Sequence, residues 1–300
     1  MIKNHLRNFS EDLCSNTKQN SWKTVLSILL FYVGLIFFII FVVYEKGWLN
    51  FVDNNTDGLI NQTFIVYLVL ILIILVIFVV IVARNSWKSI GIQKGKLLKG
   101  FLFYFLFWCG LNLIFLIACL IFNVQPIWYP MWLYDGQTIL SAFGLLIAQI
   151  FGNVFFEEIF FRGYILSQLT KKISSKNDKK PIKSLVLGAL STSIIFALIH
   201  IPNRIIQGFS FIDIIINIPF LILIGLLFCI VYIVSNNLFI SMGVHIIWNI
   251  GFTLINPVLN QIVVISILLL LFGIIWYIYK IKLEQLEKKD VEMSNPSREI

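Results

Sequence analysis

The amino-acid sequence predicts an all-α protein that crosses a membrane several times, and three observations support this prediction. The chain has 300 residues, of which 59% are hydrophobic and only 13% charged, about half the charged share of a soluble domain. Its mean hydropathy is +0.92. Several runs of about 20 residues contain almost no charge, and this is the length that a helix needs to cross the hydrocarbon core. These features exclude a soluble enzyme, a nucleic-acid-binding protein and a disordered scaffold.

Eight segments are apolar enough to be transmembrane helices. The fifth and seventh are short for a full crossing, and the fourth is long. The fifth is expected to end at His200, before irregular backbone at 202–204 that faces a water-filled cavity. The eight predicted spans are 24–44, 64–83, 101–122, 138–166, 185–200, 211–234, 238–255 and 258–279.

The charged residues between the spans predict the orientation of the chain. The segments before span one, between spans two and three, and between spans four and five are basic. The loop between spans one and two instead carries Glu45, Asp53 and Asp57 against a single Lys46. Basic loops stay on the cytoplasmic side. Both termini are therefore predicted to be cytoplasmic, in agreement with an even number of spans.

The predicted organisation is one membrane domain between two polar ends. Residues 1–23 form a cytoplasmic N-terminal segment, residues 24–279 the membrane domain, and residues 280–300 a charged cytoplasmic tail. The four cysteines are scattered and form neither a metal-binding nor a disulfide pattern. The abundance of Ile, Phe, Asn and Lys indicates an AT-rich genome, and hence the plasma membrane of a bacterium.

Ionisable residues inside the spans are rare, and most of them fall on three helices. A charge at the centre of a bilayer costs roughly 3 kcal/mol on insertion scales. Such residues are therefore retained where they face a polar cavity, pair with one another or take part in chemistry. The sequence predicts a polar intramembrane site built from the fourth, fifth and seventh spans. Its ionisable candidates are Glu157, Glu158, Arg162, His200 and His245.

Helical spacing separates the expected roles of the two adjacent glutamates. Gln149, Asn153 and Glu157 recur at every fourth position and form one polar stripe. Glu158 lies about 100° around the helix and precedes Arg162 by one turn, which is the favourable order for an ion pair. We therefore expect Arg162 to neutralise Glu158, while Glu157 faces the interior as the candidate general base.

Two further helices carry polar stripes with the same spacing. Ser241, His245 and Asn249 recur on the seventh span, and Phe196 precedes His200 by one turn on the fifth. The three helices are predicted to meet around one pocket that contains a carboxylate, two imidazoles and an amide. Polar residues at this spacing also join membrane helices without any catalytic role, so each stripe taken alone leaves that alternative open.

This set of side chains suits the hydrolysis of a peptide bond. A carboxylate and an imidazole can activate water, and an amide can donate to the developing oxyanion. The sequence contains no GxSxG turn and no HExxH motif, which argues against a serine hydrolase and a zincin. A Zn²⁺ ion held by Glu157, His200 and His245 would also activate water. The residues alone leave the presence of zinc open.

Three short motifs occur in order at these positions. They are EExxxR at 157–162, FxxxH at 196–200 and HxxxN at 245–249. Together they resemble the CPBP family of CAAX proteases and bacteriocin-processing enzymes, also called the Abi family. The resemblance covers about residues 138–255, whereas the outer spans agree only in general hydropathy.

The resemblance implies an all-helical intramembrane endopeptidase with a catalytic cavity that opens toward the cytoplasm. It implies that Glu157 and His200 activate water and that His245 and Asn249 stabilise the oxyanion. Metal-dependent and glutamate-dependent hydrolysis are both argued for the family, and the presence of only two histidines in the spans favours the latter. The implied substrate is a membrane-associated peptide or protein, either prenylated or linked to bacteriocin export and immunity. The implied supporting residues are Glu158, Arg162 and Phe196.

Two other kinds of function are compatible with polar stripes in a membrane bundle. One is a non-catalytic immunity or binding protein that sequesters a peptide. The other is a transporter that uses the stripes as a substrate path. The transporter is less favoured because the sequence shows neither repeated halves nor a matching pair of interrupted helices.

Overall fold

The computed structural model describes residues 2–126, 138–174 and 181–250, and the positions 253–255, 259, 263–269, 271 and 273. Within these ranges the regular secondary structure is helical and contains no β-strand. In chain order the helices are α1 (Ile2–Asn16), α2 (Trp22–Tyr44), α3 (Asn50–Asn55), α4 (Gln62–Val82), α5 (Lys94–Ile121), α6 (Ile139–Ser174), α7 (Pro181–Ile199), α8 (Ile201–Ile206), α9 (Phe211–Ser235) and α10 (Leu238–Ile250).

Six helical segments of the described chain are long and apolar enough to cross a membrane, namely α2, α4, α5, α6, α7 together with α8, and α9. They confirm an all-α multi-pass membrane protein and coincide with the first six predicted spans. The seventh predicted span contains α10, whose 13 residues rise only about 20 Å. The eighth, 258–279, lies largely outside the described residues, so the number of eight stays a prediction.

The structure corrects two details of the predicted spans. Helix α6 does not end near residue 166 but continues to Ser174. The segment 202–204 is not irregular, because it lies within the short helix α8. Pro202 occupies the first turn of α8, where backbone N–H groups have no intrahelical partner and proline is therefore tolerated.

Helix α6 is not a uniform α-helix. Its segments Gln149–Asn153 and Glu158–Ile165 are π-helical, so that backbone hydrogen bonds there span five residues instead of four and the turns are wider. The second of these segments begins directly after Glu157, at the pair of glutamates. Wide turns also occur at the ends of α2 (Ile39–Tyr44) and α4 (Ile71–Val82), so by themselves they do not identify a site.

The helix termini lie at two ends of the bundle, which we call the basic end and the far end. The basic end contains the start of α2, the end of α4 and the end of α6. Asn20 joins these elements, because its side chain donates to the Ala83 carbonyl at 2.8 Å and its backbone N–H donates to Gln168 at 2.9 Å. The far end contains the end of α2, the starts of α4 and α6, and the connection from α7 to α9. There the Thr138 hydroxyl donates to the Asp57 carbonyl at 3.1 Å.

Helix α1 lies across the basic end. The Ser10 hydroxyl donates to the carbonyl of Pro181, the first residue of α7, at 3.0 Å. The Lys171 ammonium group near the end of α6 donates to the Cys14 carbonyl at 2.7 Å. The ring of His5 contacts the Ile233 carbonyl, near the end of α9, at 3.0 Å. The N-terminal segment is thus attached to three different helices of the bundle.

Candidate active site

The ring of His245 lies between the two adjacent carboxylates of α6. Its Nε2 atom is 3.7 Å from Glu157 Oε2, and its Nδ1 atom is 2.8 Å from Glu158 Oε1. His245 lies on α10. The ring of Phe228 from α9 stacks on the His245 ring, with ring centroids 4.2 Å apart. The structure therefore brings together the predicted residues of the fourth and seventh spans.

Glu158 is completely buried and has several partners. Its carboxylate lies 3.0 Å from Arg162 Nη1, and both side chains are 0% exposed. The Ser241 hydroxyl, one turn before His245 on α10, donates to Glu158 Oε2 at 2.6 Å. A buried charge is tolerated when it is paired and hydrogen-bonded. Glu158 is thus compensated by Arg162, as its spacing predicted, and also holds the His245 ring.

Aromatic rings surround the Arg162 guanidinium group. The group lies 4.7 Å from the centroid of the Phe196 ring and 5.1 Å from that of Phe228, within the range of a cation–π interaction. Its Nη2 atom donates to the Gly225 carbonyl at 3.2 Å. Phe196, a predicted supporting residue, therefore contacts the buried cation, and its ring also lies 4.4 Å from that of His200.

The hydrogen bonds of the two histidines determine which ring nitrogen faces the site. His200 Nδ1 lies 2.7 Å from the Phe196 carbonyl oxygen. A carbonyl only accepts, so Nδ1 carries a hydrogen and Nε2 of the neutral ring remains an acceptor. In the same way, His245 Nδ1 donates to the Glu158 carboxylate. Its Nε2 atom is thereby directed at Glu157.

Glu157 and His200 line one cavity of about 300 Å³, which is at the lower limit of the usual size of ligand sites. Glu157 is 4% exposed. Helices α2 and α4 contribute much of the wall, including Tyr32, Tyr44 and Tyr67. The remainder of the wall comes from α6, from the end of α7 and from α8.

Tyr67 is a contact of Glu157 that sequence reasoning missed. Its hydroxyl donates to Glu157 Oε1 at 3.2 Å. Tyr67 lies on α4, whose sequence is apolar. The sequence of this segment predicted a transmembrane span and no site residue. A phenol within a span can bury its ring while its hydroxyl finds a polar partner, but nothing in the sequence identifies α6 as the location of that partner.

Asn249 is held at a distance from Glu157. Its amide donates to Gln149 Oε1 at 3.1 Å, and Asn153 donates to the same oxygen at 3.2 Å. Gln149 precedes Glu157 by eight residues, or about 12 Å along a helix. Asn249 is exposed and does not line the described cavity. The two polar stripes do meet, as predicted, whereas the oxyanion role of Asn249 stays a prediction.

The described residues contain no group of three His, Cys, Asp or Glu side chains arranged to hold a metal ion. Glu157, His200 and His245 therefore do not form a ready set of zinc ligands in this arrangement. In both rings Nδ1 donates, to the Phe196 carbonyl and to Glu158 respectively, an arrangement that is also usual for histidines that bind a metal through Nε2. Because the three side chains are not grouped around one point, we derive no reaction step through a metal.

The comparisons with known proteins agree with the motifs. Residues 139–251 match the profile of the Rce1-like family, described as type II CAAX prenyl endopeptidase Rce1-like. This match confirms the resemblance that the three motifs predicted, and it contains every predicted site residue. Neither the curated protein sequences nor the solved structures that were searched contain a match to this chain.

Proposed function

We propose that this chain is an intramembrane endopeptidase in which Glu157 activates water to hydrolyse a peptide bond. The family match over residues 139–251 supports this reaction class. The observation that supports the residue assignment is the position of Glu157 in the wall of a cavity. Its Oε1 atom accepts a hydrogen bond from the Tyr67 hydroxyl, and its Oε2 atom faces His245.

In the proposed reaction, a water molecule binds between Glu157 and His200. Glu157 accepts one proton of this water while the water oxygen bonds to the substrate carbonyl carbon, and the carbonyl oxygen becomes an oxyanion. The proton then passes from Glu157 to the amide nitrogen. The C–N bond breaks, and the products are a carboxylic acid and an amine.

The other residues orient the reacting groups. His200 Nε2 accepts a hydrogen bond from the water, because its Nδ1–H is engaged by the Phe196 carbonyl. Glu158 fixes the His245 ring. When Nε2 of His245 carries a hydrogen, it donates to the oxyanion. Asn249 supplies the second oxyanion donor after its amide leaves Gln149. These roles are the ones that the resemblance of the three motifs to the family implies.

The proposed substrate is a peptide or protein at the membrane, and the proposed location is a bacterial plasma membrane with both termini in the cytoplasm. The proposed catalytic core is 138–255, within a membrane domain of residues 24–279. The polar segments 1–23 and 280–300 flank this domain on the cytoplasmic side.

A comparison of newly formed peptide termini tests this function. Membranes that contain wild-type protein or the Glu157→Gln variant are incubated, and the termini are identified by mass spectrometry. Glu11→Gln is the matched control, because Glu11 lies on α1, is exposed and forms an ion pair with the exposed Arg7. Termini present with wild type and with Glu11→Gln, but absent with Glu157→Gln, support the proposal. Identical sets in all three samples would contradict it and favour a non-catalytic binding protein.

A further inference from the structure

The cavity beside Glu157 has two chemically different faces. One face comes from α6, the end of α7, α8 and the residue after it. Apart from Ile199, its members are polar, namely Asn153, Glu157, His200, Asn203 and Gln207. The opposite face comes from α2 and α4 and consists mainly of phenol rings and aliphatic side chains such as Ile36 and Val66. A bound peptide therefore meets most of the hydrogen-bonding groups on the first face, which we call the polar face.

Two asparagines of the polar face lie beside the proposed catalytic pair, Glu157 and His200. Asn153 precedes Glu157 by four residues on α6, and Asn203 follows His200 by three residues in the first turn of α8. Helix α6 runs toward the basic end, whereas α7 and α8 run away from it. Both asparagines are therefore displaced from the catalytic pair in the same direction, and they form an adjacent layer of amide groups.

The side-chain oxygen of Asn153 has no hydrogen-bond partner among the described residues, although it is buried. Its Nδ2 group donates to Gln149 Oε1 at 3.2 Å. Leaving a buried acceptor unpaired costs free energy, which a partner supplied by a ligand would recover. The residue lines the cavity that contains Glu157. Its oxygen is thus available to an N–H group of a bound peptide.

The side chain of Asn203 is also available to a ligand. It is half-buried, lines the same cavity and forms no hydrogen bond within the described part of the chain. A side-chain amide carries a donor and an acceptor, as a peptide unit does. Four helical residues rise about 6 Å, and an extended peptide advances about 3.3 Å per residue. The layer of amide groups therefore lies about two residues from the scissile bond.

We propose that Asn153 and Asn203 are positioning residues that bind the backbone of an extended peptide about two residues from the scissile bond. Asn153 Oδ1 accepts a hydrogen bond from a backbone N–H group, and the amide of Asn203 bonds a neighbouring peptide unit. Such bonds depend on the backbone and not on side chains, so the substrate class is an extended peptide segment of variable sequence. The proposal rests on the proposed function for the cleavage step, whereas the binding of the backbone does not.

A substrate with one altered backbone group tests the role of Asn153. A peptide that spans a cleavage site of the wild-type protein is compared with two N-methylated forms. In one form the methyl group replaces the N–H hydrogen of the second residue before the scissile bond, and in the other that of the second residue after it. Gln149→Ala is the matched control for Asn153→Ala. Both variants lose the bond between these two side chains, but Gln149 does not line the described cavity.

N-methylation at one of the two positions is expected to lower kcat/KM about tenfold for wild type and for Gln149→Ala, because it leaves the Asn153 oxygen unpaired. Asn153→Ala is expected to cleave the unmodified peptide with a kcat/KM about tenfold below that of wild type. The same methylation should then lower kcat/KM of this variant by less than about twofold. A merely structural role of Asn153 would give independent losses that multiply at both positions, and that result would overturn the proposal.

Steady-state kinetics test the role of Asn203. Asn203→Ala is expected to raise KM about tenfold, because a hydrogen bond to the peptide is lost, and to leave the melting temperature unchanged. Asn217→Ala is the matched control, because Asn217 is a half-buried asparagine that accepts a hydrogen bond from Arg204 of α8 at 3.1 Å and does not line the described cavity. Equal KM values for the two variants would overturn the role of Asn203.

Binding to the inactive protein separates this proposal from the proposed function. Fluorescein-labelled casein, an unfolded protein, is titrated onto Glu157→Gln and onto double variants that also carry Asn153→Ala or Asn203→Ala. Fluorescence anisotropy should give a Kd about tenfold higher for each double variant. Equal Kd values, or no binding of casein to Glu157→Gln, would overturn the proposal. If wild type and Glu157→Gln produce the same peptide termini, the proposed function fails, while the anisotropy still decides whether the asparagines bind the backbone.

Discussion

The buried ion pair of Glu158 and Arg162 determines how the site responds to substitution. Glu158→Gln would leave the Arg162 guanidinium group without its anionic partner in a fully buried position. We expect a loss of about 3–5 kcal/mol of unfolding free energy, the usual effect of breaking such a pair. Thermal denaturation of the purified variant measures it.

The exposed ion pair of Arg7 and Glu11 is the matched control. Its side chains are 64% and 53% exposed, and exposed pairs add little to stability. Arg7→Ala is therefore expected to leave the melting temperature unchanged. Equal melting temperatures for Glu158→Gln and wild type would show that the buried pair is not a stabilising element.

The Tyr67 hydroxyl orients the proposed base through its hydrogen bond to Glu157 Oε1. Tyr67→Phe removes this bond and keeps the ring. Because a hydrogen bond to a charged group contributes about 1.5–3 kcal/mol, we expect kcat to fall about tenfold or more, with little change in KM. Steady-state kinetics measure both constants. Tyr104→Phe, on the opposite side of α10, is the control, and equal kcat values for the two variants would refute the orienting role.

The proposed oxyanion donor Asn249 contacts Gln149 in the structure. If its amide donates to the oxyanion during the reaction, Asn249→Ala lowers kcat by roughly 10²–10³. Gln149→Ala removes only the resting contact and is expected to change kcat far less. Equal kcat values for both variants would mean that the two amides only join α6 to α10.

At the scale of elements, the absence of a side chain at Gly163 allows the loop after α4 to pack closely on helix α6. A Cβ atom at this position would lie 2.2 Å from the Ile90 carbonyl oxygen. Gly163→Ala therefore forces the backbone of the loop away, at a cost of about 1–3 kcal/mol as in other overpacked sites. The melting temperature should fall.

Gly110→Ala is the corresponding control within a helix. Among the described residues, no atom outside the adjoining turns of α5 lies within 4 Å of a Cβ atom built at Gly110, and alanine is the better helix former. Stability should be unchanged or slightly higher. A melting temperature as high for Gly163→Ala as for Gly110→Ala would contradict the close packing of the loop on α6.

The spans that hydropathy predicts agree well with the helices, because the absence of charge over a membrane-length segment depends only on local sequence. The predicted span 24–44 and the observed Trp22–Tyr44 differ by two residues. The end of α6 was missed because residues after Leu166 are buried by α1 and α7 and not by lipid. Such tertiary contacts leave no hydropathy signal.

The contacts of the site also fall into those that the sequence could predict and those that it could not. Spacing along single helices predicted the ion pair of Glu158 and Arg162, because both residues lie on α6. It could not predict the contacts of Tyr67 with Glu157 or of His245 with Glu158. These contacts depend on how α4 and α10 pack against α6.

At the scale of the whole molecule, the two ends of the described bundle differ. Helix α1 and the segment after it cover the basic end through contacts such as Ser10 with Pro181. The polar residues around Gln207 border the other end.

The most direct test of the account is the rate of peptide cleavage by purified Glu157→Gln under single-turnover conditions, measured beside its melting temperature. The account predicts a rate at least about 10²-fold below that of wild type, because the general base is lost. It also predicts an unchanged melting temperature, because within the described residues the ion-pair contact of Glu157 is His245 and not an arginine or lysine, and glutamine keeps the shape of glutamate. A folded Glu157→Gln variant that cleaves at the wild-type rate would contradict the central claim.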